Sequence, residues 1–101
     1  MTRPTWHPLA RRELLDSSAY YESESPGLGA IFLARVEEAV SMVQRFPRAA
    51  PVVLEEVRRQ LVFKFPYSLI YRLEGEEVFI LAVAHHRRRP LYWARRVPSR
   101  S

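Results

Sequence analysis

The stretch VRRQLVFKFPYSLIYRLEGEEVFILAVA, residues 57–84, decides the fold. Its apolar residues recur at every second position, the period of a strand that turns alternate side chains to opposite faces of a sheet. Within Val57–Phe63, the side chains of Val57, Leu61 and Phe63 are expected on one face and those of Arg58, Gln60 and Val62 on the other. Pro66 has no N–H to give to a ladder and ends that strand. From Tyr67 to Leu73, Leu69, Tyr71 and Leu73 alternate with Ser68, Ile70 and Arg72. Glu74–Gly75–Glu76 reads as a tight reversal in which the glycine can take a positive φ. Val78–Ala84 is apolar on both faces, as in an interior strand covered from each side. Three strands joined by short turns make an antiparallel meander.

Upstream the period changes to that of a helix. Leu28, Phe32, Val36, Ala39, Val40 and Val43 share one helical face, and Phe46–Pro47 ends the run because a residue before proline is driven out of the α region. An earlier helix starts at Pro8, where a missing N–H costs nothing, and carries Ala10, Leu14, Ser17 or Ser18, and Tyr21 on its stripe. The breaker run Ser23–Gly27 separates the two, and so short a link predicts an antiparallel helical hairpin. Thr5–His7 suits an edge strand, and 48–51 a connecting loop. The sum is an α+β fold of order β-α-α-β-β-β, with the hairpin packed on one face of the sheet. The other face is expected to stay partly open, needing cover from the chain's own tail or from another chain.

At 101 residues the chain is expected to be one domain, 1–101. It has no cysteine, which excludes disulfides and thiolate metal sites. No apolar run approaches the ~18 residues of a membrane span, and residues 1–12 lack the apolar core of a secretory signal, so a cytoplasmic location is expected. His7, His85 and His86 have no metal-ligand spacing, and the three glycines form no phosphate loop, so neither metal nor cofactor is expected. The net charge is +5, and all the basic residues except Lys64 are arginine, whose planar fork binds carboxylates and phosphates. The sharpest surface feature is Arg87–Arg88–Arg89 with Arg95 and Arg96, interleaved by Tyr92 and Trp93. With Arg58 on the first meander strand, these are the expected contacts to a phosphate backbone or to an acidic protein partner. The alternative for the cluster is a solvated basic tail.

Taken together, the segment from Ala10 to Tyr21, Phe46–Pro47, Arg58–Arg59, Phe65–Pro66–Tyr67–Ser68–Leu69–Ile70–Tyr71, Ala84–His85–His86–Arg87–Arg88–Arg89–Pro90 and Trp93 resemble the RelE/ParE toxins of bacterial type II toxin–antitoxin pairs, over about residues 4–96. The resemblance implies the fold derived above. It also implies a cognate antitoxin that wraps the toxin with an acidic, amphipathic C-terminal segment, and DNA binding only through that antitoxin. Two activities occur among such toxins, cleavage of messenger RNA on the ribosome and poisoning of DNA gyrase. By the resemblance, nuclease members carry basic residues on the first meander strand, an arginine on the second, and an arginine and a tyrosine near the C-terminus. Those positions fall here on Arg59 and Leu61, on Ser68, and on Arg87 and Trp93, with Tyr92 adjacent.

Serine brings no positive charge to a phosphate, and indole donates a hydrogen bond but moves no proton. The preferred reading is therefore a ParE-like gyrase inhibitor. A ribosome-dependent nuclease is the runner-up, drawing on Arg59, Arg72, His85, His86, Arg87 and Tyr92. By the resemblance, other nuclease members use a C-terminal histidine with an arginine and a glutamate, a set that Glu55 or Glu56, Arg72, and His85 or His86 would supply here. Neighbours on a strand face opposite sides, so only one histidine can join any one site. A third reading is an inert basic module that binds nucleic acid.

Overall fold

The structure, a computed structural model, describes residues 3–98. Its elements are β1 (Thr5–Trp6), α1 (Pro8–Glu24), α2 (Leu28–Arg45), β2 (Val52–Leu54), β3 (Val57–Leu61), β4 (Tyr67–Glu74), β5 (Glu77–His85) and a final 3-10 turn, Ala94–Arg96. They form a five-stranded sheet of order β1-β5-β4-β3-β2, in which β1 runs parallel to β5 and the other pairs are antiparallel. The α+β order holds, with one strand added. β2 is a short edge strand paired to β3 through a reversal at Glu55, which takes φ 48. Three residues are too few to show a period, which is why only its loop was legible. β3 also stops at Leu61, because the chain turns through Lys64 at φ 64 and leaves Phe63 exposed.

The helical hairpin is set by its ends. Pro8 opens α1, and the ring of His7 accepts the N–H of Leu9. Gly27 turns at φ 87. The Glu22 carboxylate accepts from the N–H groups of Gly27 and Gly29, placing negative charge at the α2 N-terminus. The helices then approach so closely that a Cβ on Gly29 would lie 2.6 Å from the Ser18 carbonyl oxygen.

One core lies between hairpin and sheet, where Phe32, Val36, Ala39 and Val43 meet Leu69, Tyr71, Ile80 and Val83. Tyr21, Phe32, Phe65 and Tyr67 form a mutually packed aromatic group within it. The Tyr71 hydroxyl donates to the Pro47 carbonyl at 2.8 Å and ties the end of the helical hairpin to β4. The alternation expected along β4 is met: Tyr67, Leu69 and Tyr71 join this core, while Ile70 joins a second one on the far face.

That second core decides between the two covers expected for the far face, the chain's own tail or another chain, in favour of the tail. Val57, Ile70, Leu81, Ala82 and Ala84 are covered by the chain's own tail through Trp93, Tyr92 and Val97. Trp93 is only 3% exposed. A bulge helps to build this floor. Ile70 pairs with Ala82 and Tyr71 with Ile80, so Leu81 is the extra residue, and Leu81 and Ala82 both face the tail.

Candidate functional site

The tail is locked by Glu13 of α1. Its carboxylate accepts from the Val83 N–H at 3.1 Å, the Tyr92 hydroxyl at 2.7 Å, and both terminal nitrogens of Arg96 at 2.8 and 3.0 Å. Arg96 also donates to the Leu81 carbonyl. The Arg88 and Arg96 guanidiniums stand over the Tyr92 ring, 4.0 and 5.1 Å from its centroid. Burial, then the hydrogen bond to Glu13, push the Tyr92 hydroxyl well above the usual phenol range. Three residues expected to meet a target are thus structural: Trp93 is core, and Tyr92 and Arg96 hold the tail. Arg58 has a similar part, donating to the carbonyls of Arg48 at 3.0 Å and Ala50 at 2.7 Å and so fixing the loop before β2.

Beside the tail lies a basic cleft of about 260 Å³, bounded by Val53, Arg59, Ser68, His86, Arg88 and Arg89 among others. Its floor holds Ser68, 1% exposed, whose Oγ lies 2.8 Å from His86 Nε2. The His86 backbone N–H donates to the Pro66 carbonyl, which fixes the chain as it leaves β5. His85 points the opposite way, as adjacent strand residues must. Its ring stands edge-on to Tyr67 at 4.9 Å, and its Nδ1 accepts the Arg87 N–H. Burial first, then the charges of Arg87 and His86, lower the His85 pKa. Arg59, Arg87, Arg88, Arg89 and Arg95 are exposed and make no ion pair among the described residues.

The glutamate–arginine–histidine assembly is not formed. Arg72 is buried and paired with Glu74, in a separate depression that Glu55 and Glu56 also line. It lies four residues along β4 from Ser68, about 13 Å at the rise of a strand. Among the described residues no group of histidines and carboxylates is placed to hold a metal. What the cleft can do is attract an anion, with cations at its rim and a hydroxyl–imidazole pair at its base. The Ser68–His86 pairing escaped sequence reasoning because it spans two strands. It needed the register Ser68 to Ala84, which puts His86 two residues farther along on the same face.

On the other side of the molecule, β1 and the two helices bound an apolar groove of about 460 Å³, with Trp6, Leu14, Leu33, Val36 and Val40 on its walls and Arg11 and Glu37 at its edges. No helix among the described residues is long and apolar enough to cross a membrane.

Comparison with known proteins agrees with this architecture. The family described as "ParE toxin of type II toxin-antitoxin system, parDE" matches residues 5–90. Y4kP of Sinorhizobium fredii (strain NBRC 101917 / NGR234), a protein named as a candidate toxin, is 31% identical over 84 residues, which cover 82% of this chain and 86% of that protein. A chain from the structure titled "Chromosomal ParDE TA system from P. aeruginosa" superposes with a TM-score of 0.60 at 21% identity, over 84% of this chain and 96% of that one, and shares the fold. A match of that extent, on a fold with the two helices and the curled sheet in place, makes this chain a member of the ParE toxin family of type II toxin–antitoxin systems.

Proposed function

We propose that the chain is a ParE-like toxin that blocks DNA gyrase in the cytoplasm and is neutralised by a cognate antitoxin. The observation that carries the choice of target is that three positions of the nuclease pattern on the far face hold neither a cation nor a proton-moving group. Leu61, Ser68 and a buried Trp93 stand where the nuclease pattern requires cations and a tyrosine. Tyr92, the nearest substitute, has its hydroxyl bound to Glu13 and its ionisation suppressed. The gyrase contact falls to the exposed, unpaired arginines Arg87, Arg88, Arg89 and Arg95 at the sheet rim, which suit an acidic protein surface.

Because the tail already covers the far face, the antitoxin segment belongs elsewhere. The groove between β1 and the helices offers it an apolar floor, and the +5 charge of the chain favours an acidic partner. This reading predicts growth arrest when the chain is expressed alone and relief when the antitoxin is co-expressed. Primer extension on translated messages should show no new ends during the arrest. Cuts within codons on ribosomes would instead establish the nuclease reading, and absence of arrest would favour an inert basic module.

A further inference from the structure

We propose that Ser68, His86 and Arg59 form a seat for a single phosphate group, supplied either as free inorganic phosphate or as a phosphodiester of nucleic acid. The seat borders the proposed gyrase contact at Arg88 and Arg89, but its three core residues take no part in that contact and its test does not depend on that reading.

His86 Nε2 is engaged by the buried Ser68 hydroxyl, while Nδ1 has no hydrogen-bond partner among the described residues. The pair has two neutral arrangements. Either Ser68 donates to Nε2 and Nδ1 carries the proton, or Nε2–H donates to Ser68 and Nδ1 is a bare acceptor. Of these two, an anion at Nδ1 selects the first, because the second offers it only a bare acceptor. Ser68 is thus a positioning residue that sets which ring nitrogen faces the ligand.

Arg59 completes the seat from β3. It pairs with Ile70, so it lies diagonally across from Ser68 on the same face, roughly 7–8 Å away, within reach of a guanidinium side chain. Arg88 and Arg89 add positive charge at the rim, and no carboxylate lines the cleft to compete with an anion. The volume of about 260 Å³ lies below the ~300–1,000 Å³ usual for a drug-sized ligand and suits a phosphate with part of its ester. The aromatic faces a base would stack on are withheld, since Trp93 is buried and Tyr92 lies against Arg88 and Arg96. Recognition is therefore of the phosphate and not of sequence, and it should weaken as salt rises.

The test uses the full chain labelled with 15N, at fixed pH, with long-range proton–nitrogen spectra reading each histidine ring. It is titrated with sodium phosphate, with sodium chloride at matched ionic strength, with a thymidine dinucleotide, and with its uncharged methylphosphonate analogue. The expected result is that phosphate or the dinucleotide moves His86 to the Nδ1–H signature while His85 stays unchanged and the methylphosphonate has no effect. The surface change Arg59→Gln should weaken binding by about tenfold, the usual worth of one charge-assisted hydrogen bond, and His86→Gln should abolish it. Tighter binding of the dinucleotide than of phosphate assigns the seat to nucleic acid; the reverse order assigns it to the free ion. A His86 response reproduced by chloride or by the methylphosphonate, or an affinity unchanged in Arg59→Gln, overturns the proposal.

Discussion

Glu13 is the residue on which the C-terminal third of the fold turns. One carboxylate serves a strand N–H beyond the reach of β1, a phenol and a guanidinium. Its side chain and that of Arg96 are only 16% and 12% exposed, so the pair is shielded from solvent. Removing one charge of a buried pair costs about 3–5 kcal/mol, and glutamine keeps part of the hydrogen bonding. Glu13→Gln should therefore lower stability by about 2 kcal/mol in urea unfolding. His85 gives a second prediction. Its folded pKa lies below 6.5, so between that folded value and 6.5 the unfolded chain binds more protons than the folded one. Stability from this residue is intact above pH 6.5 and declines as the pH falls through that window. His85→Gln should flatten the acid side of a stability–pH profile, and a slope left unchanged would contradict the assignment. Nothing about Glu13 was visible in the sequence, where it sits off the apolar stripe of its helix like any solvent-facing charge.

Elements were legible in proportion to their length and to the clarity of their period. The stripe Phe32, Val36, Ala39, Val43 is buried as its spacing predicts, and β4 alternates as its sequence does. β2 was not legible, because three apolar residues after a loop carry no phase. Nor was the tail's position. Arg87–Arg96 reads as a basic terminus, and only the three-dimensional floor of Val57, Ile70 and Leu81 gives Trp93 its place. Trp93→Ala should cost about 3–5 kcal/mol by leaving a cavity over that floor, measurable as a lower denaturation midpoint. In the hairpin, Gly29→Ala should destabilise by about 1–2 kcal/mol. The helix-propensity gain of about 1 kcal/mol is outweighed by a Cβ set 2.6 Å from a backbone oxygen that cannot yield without spreading the helices. An alanine variant at least as stable as the wild type would show that the two helices pack more loosely than this.

At the scale of the whole molecule, charge and shape divide the work. One face of the sheet is filled by the hairpin and the other by the tail, so partners are left with the rim arginines, the cleft and the groove beside β1. The basic composition announced an acidic or phosphate-bearing partner, but it could not sort the arginines. Arg58 and Arg96 turned inward to carbonyls and a carboxylate, while Arg87, Arg88, Arg89 and Arg95 stayed free to meet one. Arg59, His86 and Tyr92 line one cleft, but the glutamate–arginine–histidine set was dispersed, since sequence distance does not show that Arg72 and His86 lie toward opposite ends of β4. DNA supercoiling by purified gyrase in the presence of the purified chain decides whether gyrase is the target. The wild-type chain is expected to inhibit supercoiling, and Arg87→Ala, folded and equally stable, to inhibit about tenfold less well. Full supercoiling activity at saturating wild-type chain would contradict gyrase as the target.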